Sequence, residues 1–252
     1  MFVHYRTQGF IFKKIDRGEA DRLFTVHTKD FGRLDLLAKA ERKIKSKLRG
    51  GLELFYLSEI EFIQGKTHKT LTDAILVENF PNLRKDLKKL RIAYQIAEVL
   101  DNLVKGQEPD NNLWQLFEET FSRLNANNLK PVIYNLIYYY FLWNLFSLLG
   151  YGPEFYNCSL CQKKITPGKI RFSSKEGGII CQSCSQKIKS SGEITLETIK
   201  ILRLILKKDW KTLSKLKFEA KYLKELTLLS QSYFLRIVDE IGASSSTSPL
   251  IN

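Results

Sequence analysis

Residues 23–38 read Leu23-Phe24-Thr25-Val26-His27-Thr28-Lys29-Asp30-Phe31-Gly32-Arg33-Leu34-Asp35-Leu36-Leu37-Ala38. Two short runs of β-branched, aromatic and aliphatic residues flank the turn signal Asp30-Phe31-Gly32, and the pattern predicts two strands joined by a tight turn. The same grammar continues on both sides. Thr7-Gln8-Gly9-Phe10-Ile11-Phe12, Leu52-Glu53-Leu54-Phe55-Tyr56-Leu57 and Glu59-Ile60-Glu61-Phe62-Ile63 supply three more strands, separated by Asp16-Arg17-Gly18, Gly50-Gly51 and Gln64-Gly65-Lys66. Five strands within residues 1–80 predict a small closed barrel, which leaves no sheet edge exposed. An OB-type barrel is the economical choice, and strand count alone equally admits an SH3-like one.

From residue 82 the period becomes helical. Leu83, Leu87, Leu90, Tyr94, Ile96, Ala97, Leu100 and Val104 mark a first helix that stops by Gly106, and Leu113, Leu116, Phe117, Phe121 and Leu124 mark a second. Residues 132–149 are apolar on every side, which predicts a helix buried in protein; Asn135, Asn144 and Ser147 interrupt the run and argue against a membrane span. Helical patterns resume over residues 196–208 and 218–241, and the small polar stretch from Gly242 predicts a disordered tail. The fold class expected is α+β: a barrel over 1–80, an all-α domain in two parts over 81–157 and 192–241, a cysteine module inserted over 158–191, and a tail over 242–252. The N-terminus lacks the charged start, apolar core and cleavage site of a secretory signal, so a cytoplasmic location is expected.

All four cysteines of the 252-residue chain fall in that module, as Cys158-Ser159-Leu160-Cys161 and Cys181-Gln182-Ser183-Cys184. Two C-x-x-C turns each present two sulfurs to one side of a common point, the arrangement that encloses a tetrahedral zinc ion. Four thiolates leave no position for a bound water, so one Zn(II) is expected, with a structural role. A redox pair would ask for a surrounding βαβ pattern, which the module lacks.

The formal charge is +13, and it is unevenly spread. Residues 81–157 balance at 8 basic and 8 acidic, whereas 158–191 hold 7 basic and 1 acidic. The sharpest run is Lys39-Ala40-Glu41-Arg42-Lys43-Ile44-Lys45-Ser46-Lys47-Leu48-Arg49, between the third and fourth expected strands. Such density can neutralise several phosphates and release their counterions, with Glu41 diluting it. Phe10, Phe12, Phe24, Phe55, Tyr56 and Phe62 are candidate stacking surfaces, though at least four of them are expected to fill the barrel. No catalytic pattern is found: Gln64-Gly65-Lys66-Thr67 imitates the end of a phosphate-binding loop, but Ile60 stands where its first glycine belongs. His4, His27 and His68 lie far from the cysteines and from one another. The protein is therefore read as a non-enzyme.

The run from Gly32 through Lys43 with the following Lys47, and the run Leu145-Phe146-Ser147-Leu148-Leu149-Gly150-Tyr151-Gly152-Pro153-Glu154 leading into Cys158 and Cys161, resemble the bacterial RecO family of recombination mediators. The order of barrel, helices, cysteine module and closing helices resembles it over nearly the whole chain. One departure is Ala40-Glu41, where the family commonly has Gly and a small residue. The resemblance implies an OB-fold and a DNA repair mediator of the RecF pathway, bacterial and nucleoid-associated. Such a protein binds single- and double-stranded DNA, anneals complementary strands, associates with RecR and the C-terminal tail of SSB, and assists RecA indirectly. On that reading Arg33, Lys39, Arg42, Lys43, Lys45, Lys47 and Arg49 contact DNA. Lys200, Arg203, Lys207 and Lys211, at three- and four-residue steps beside Leu202, Leu206 and Trp210, contact the acidic, apolar SSB tail. The alternative reading is a zinc-ribbon nucleic-acid-binding accessory protein in transcription or RNA processing.

Overall fold

The computed structural model describes residues 3–127, 129–166, 168–188, 191–216 and 218–242. The tail beyond Gly242, and with it the expectation of disorder there, lies outside the described residues. The chain divides into two compact units, Met1–Asn127 and Asn128–Asn252. The change from strand to helix falls near residue 80 as the periodicity predicts, but the first unit continues for three helices past it.

The first unit is a closed five-stranded barrel of order β1-β2-β3-β5-β4, with β4 pairing back onto β1, an OB-like arrangement. Its strands are β1 His4–Arg17, β2 Asp21–Thr28, β3 Gly32–Ala38, β4 Leu57–Gln64 and β5 Lys69–Glu78. The count of five holds, but its membership changes. Residues 52–56 are not a strand: a 3-10 turn over Lys47–Gly51 leads into a buried bend in which Phe55 has φ +65°. Leu52 and Phe55 are fully buried there, so their apolar character reflects a loop tucked inward. The strand that replaces it, β5, was hidden because bulges at Thr72 and Val77 break the alternation, so that Leu71 and Ala74, three apart, both face the core. The turn packs tightly on β5: a Cβ on Gly51 would lie 2.3 Å from the Ala74 carbonyl oxygen.

Ile11, Phe24, Val26, Leu34, Leu36, Ile60 and Phe62 fill the barrel. Three helices follow, α1 Pro81–Arg84, α2 Leu87–Leu103 and α3 Asn111–Asn125, and Phe10 and Phe12 pack on aromatic rings of α3. Phe10 lies 5.1 Å from Trp114 and 5.3 Å from Phe121 between centroids, and Phe12 lies 5.2 Å from Phe117. This second apolar layer explains why the helices belong with the barrel. Asp86 and Asp110 cap α2 and α3, each accepting two backbone N–H bonds.

In the second unit, α4 Pro131–Leu148 is the core helix that its apolar run predicts, with Trp143, Tyr140, Phe141 and Phe146 buried. Its polar atoms find partners on α6 Leu196–Leu206 and α8 Ala220–Ile241: Asn144 donates to the Ile205 carbonyl and Trp143 Nε1 to Ser230 Oγ. Among the described residues no helix is long and apolar enough to cross a membrane. The cysteine module is built on β6 Arg171–Ser173, β7 Gly178–Ile180, the single turn α5 Gln182–Ser185 and β8 Gly192–Glu193. It is anchored by Phe155 and Phe172, which stack on each other and meet Trp143 edge-on. A short helix, α7 Trp210–Leu213, follows α6.

Candidate nucleic-acid interface and metal centre

The β3 to β4 connection folds into successive turns, held by Lys43 N–H to the Ala40 carbonyl and Ser46 N–H to the Lys43 carbonyl. Lys39, Arg42, Lys43, Lys45, Lys47 and Arg49 are all exposed. Lys39, Lys43, Lys45 and Lys47 line one shallow concavity of about 310 Å³. Glu41 does not dilute this field at the surface. Its side chain is 2% exposed and turned inward onto Arg22 at 3.1 Å. Ala40 beside it has φ +54°, a backbone that favours glycine, which accounts for the residue type the RecO resemblance leads one to expect there.

Two of the sequence-predicted DNA residues have other engagements. Arg33 donates to Asp101 Oδ1 at 2.6 Å and to the Val104 carbonyl at 2.9 Å, tying β3 to α2. Arg42 donates to the Gly18 carbonyl and lies 3.6 Å from Asp16, joining the connection to the β1–β2 turn. Of the six candidate stacking aromatics, Phe10, Phe12, Phe24, Phe55 and Phe62 are buried. Tyr56 is half-buried, with the Arg84 guanidinium 4.8 Å over its ring. His27 is buried against Phe12 and Phe117, and its Nε2 has no hydrogen-bond partner among the described residues. Burial, reinforced by nearby Arg33, pulls its pKa down to about 4.

The four sulfurs of Cys158, Cys161, Cys181 and Cys184 lie within 4.8 Å of one another. Cys161 Sγ and Cys181 Sγ are 3.8 Å apart. A tetrahedron of zinc–sulfur bonds of about 2.3 Å has edges of about 3.8 Å, so the donor set fits that ion. The first knuckle is held to β7 by Ser159 N–H to the Ile179 carbonyl. A side chain at Gly178 would strike the Glu154 carbonyl at 2.4 Å, so glycine is required where the knuckle meets the hairpin. The Ser183 hydroxyl, 3.2 Å away, and the Cys184 backbone amide bring the Cys181 thiol down to about 6. Its neighbour Cys184 is pushed up to about 12, chiefly by Cys181. Sulfurs this close compete for protons, and a divalent cation relieves the competition by replacing them.

The helix residues expected to meet a partner fall on two elements. Lys200 on α6, Lys207 at its C-cap and Lys211 on α7 are exposed, but Leu202 on α6 is wholly buried and forms core rather than groove. Arg203 donates to the Phe155 carbonyl through Nε at 2.9 Å and NH2 at 2.5 Å. That places its guanidinium 4.5 Å from the ring centroid of Tyr156, a residue the sequence reading did not single out. Nothing in the local pattern marks it beyond its place two residues before the first cysteine.

A closed OB-like barrel bearing an exposed lysine cluster, together with a helical unit whose four clustered thiols could hold a metal ion, fits a nucleic-acid-handling protein. Comparison with known families is specific. The family described as Recombination protein O N terminal matches residues 1–80, and Recombination protein O C terminal matches residues 84–242. The chain belongs to the RecO family of DNA repair and recombination proteins. It is similar to the DNA repair protein RecO of Dehalococcoides mccartyi strain CBDB1, with 32% identity over 224 residues, 89% of this chain and 87% of that one. The protein of the same name from Alkaliphilus metalliredigens is 28% identical over 240 residues, 95% of this chain and 96% of its own. That from Roseiflexus sp. is 29% identical over 238 residues, 93% and 81% respectively.

Proposed function

We propose that the protein binds single- and double-stranded DNA without reading sequence, anneals complementary strands, and with RecR assists RecA loading on SSB-coated DNA. The observation that carries this reading is the exposed set Lys39, Lys43, Lys45, Lys47 and Arg49, from which the one carboxylate, Glu41, has been withdrawn. Cations on a turn-rich connection engage phosphates wherever the backbone runs and make no demand on base identity. Annealing then needs charge screening between strands held close together, which the same cations supply. Association with the nucleoid follows from that affinity.

Cys158, Cys161, Cys181 and Cys184 would hold one Zn(II), whose role is to fix the module on its two knuckles. The SSB tail, acidic and apolar, fits a concavity of about 710 Å³ better than the face of α6. Leu129, Val132, Trp210, Leu216 and Phe218 line this concavity, with Lys130 and Lys215 beside them and Lys211 next in sequence to Trp210. Annealing of complementary oligonucleotides coated with SSB tests the whole reading. It should proceed with full-length SSB and slow when SSB lacks its terminal residues; equal rates, or none with either, would refute it.

A further inference from the structure

The second unit carries an aromatic surface that the lysine cluster of the barrel lacks. Tyr156 is 45% exposed although it sits between buried Phe155 and the buried first cysteine. It is held there from several sides. Its N–H donates to Glu154 Oε1 at 2.5 Å, and its carbonyl accepts from Ile165 N–H at 3.0 Å. The neighbouring Asn157 forms an antiparallel bridge with Lys164. Arg203, fixed by its two bonds to the Phe155 carbonyl, lays its guanidinium against the ring, and Lys207 Nζ is 5.8 Å from the ring centroid. Lys163 and Lys164 on the knuckle, Lys200 on α6 and Lys207 at its C-cap are exposed. The only carboxylate on α6 is Glu197, one turn before Lys200.

We propose that Tyr156, backed by Arg203, is a base-stacking platform for single-stranded nucleic acid, a second strand contact carried by the helical unit. A ring with one face on a cation and substantial area open to solvent offers a flat surface to any base, since every base has a π-face. The flanking lysines meet the phosphates on either side. An acidic, apolar peptide would need a slot for its side chains, and Ile199, Ile201, Leu202 and Ile205 of α6 are buried in the core. With the barrel lysines on one unit and this platform on the other, a single chain would hold two strand segments at once, which is the requirement for annealing.

The proposal rests on the DNA-binding reading above, and the test separates the two. Full-length protein is titrated with oligothymidylate and with an abasic oligomer of equal length, using wild type, Tyr156→Ala and Tyr156→Phe, each checked for unchanged zinc content and melting temperature. Wild type should prefer the base-bearing oligomer by roughly 5- to 150-fold, the span expected for one stacked base. Tyr156→Ala should lose that preference with an unchanged salt slope, because the ring neutralises no phosphate, and Tyr156→Phe should keep it. No binding of either oligomer by wild type overturns the DNA reading itself. Binding with an undiminished base preference in Tyr156→Ala overturns the platform alone. Loss of SSB-tail binding in Tyr156→Ala with base preference intact would assign the ring to a peptide and equally overturn it.

Discussion

Replacing His27 by phenylalanine should remove a defined part of the pH dependence of stability in the barrel unit. His27 sits between Phe12 and Phe117 at 6.1 and 5.0 Å between centroids, and burial lowers its pKa from 6.5 to about 4. Below pH 6.5 the unfolded chain takes up a proton that the folded chain refuses. Stability therefore falls as pH drops through this window, and the fall levels off near pH 4, where the folded imidazole also protonates. At 1.36 kcal/mol for each tenfold difference, the loss amounts to about 3 kcal/mol. Asp101 and Glu53 are also held low, with burial opposing and lysine and arginine contacts prevailing. Their contributions are lost only at and below their ordinary values of 3.8 and 4.5, so among these groups the interval from 6.5 to 4.5 belongs to His27. Urea unfolding across that interval, with barrel amides followed by NMR, should show a slope in wild type that His27→Phe abolishes. A slope unchanged in the variant, or a native His27 resonance titrating near 6.5, would refute the argument.

Three further outcomes are expected. Purified protein should carry about one zinc per chain, and Cys181→Ser should lower that content and loosen the knuckle amides, read by metal release and amide exchange. Ala40→Gly should raise the stability of the barrel unit by about 0.5–1 kcal/mol in denaturant titration, since it relieves a left-handed alanine. Arg33→Ala should cost about 2 kcal/mol by breaking the half-buried pair with Asp101, yet leave the salt slope of DNA binding unchanged, because that charge is spent on α2.

Local pattern carried four of the barrel's five strands and each of the two C-x-x-C turns, because these depend on neighbours in sequence. It failed where tertiary contacts rewrite the period. The bulges at Thr72 and Val77 concealed β5, and the inward bend at Phe55 imitated a strand. The charges of residues 39–49 were legible, but the direction of Glu41 was not: only the fold brings Arg22 to it. Arg33 looked free in the sequence because its partner Asp101 is 68 residues away. Tyr156 was missed for the same reason, since the arginine that backs it lies on α6, far along the chain.

The most direct test of the account is the salt dependence of single-stranded DNA binding by the variant in which Lys39, Lys43, Lys45 and Lys47 are alanine. At about 0.7 of a counterion released per phosphate on single strands, losing four contacts should lower the slope of log affinity against log salt by about 3, with the fold intact. An unchanged slope and affinity in the folded variant would contradict the claim that this connection is where the protein holds DNA.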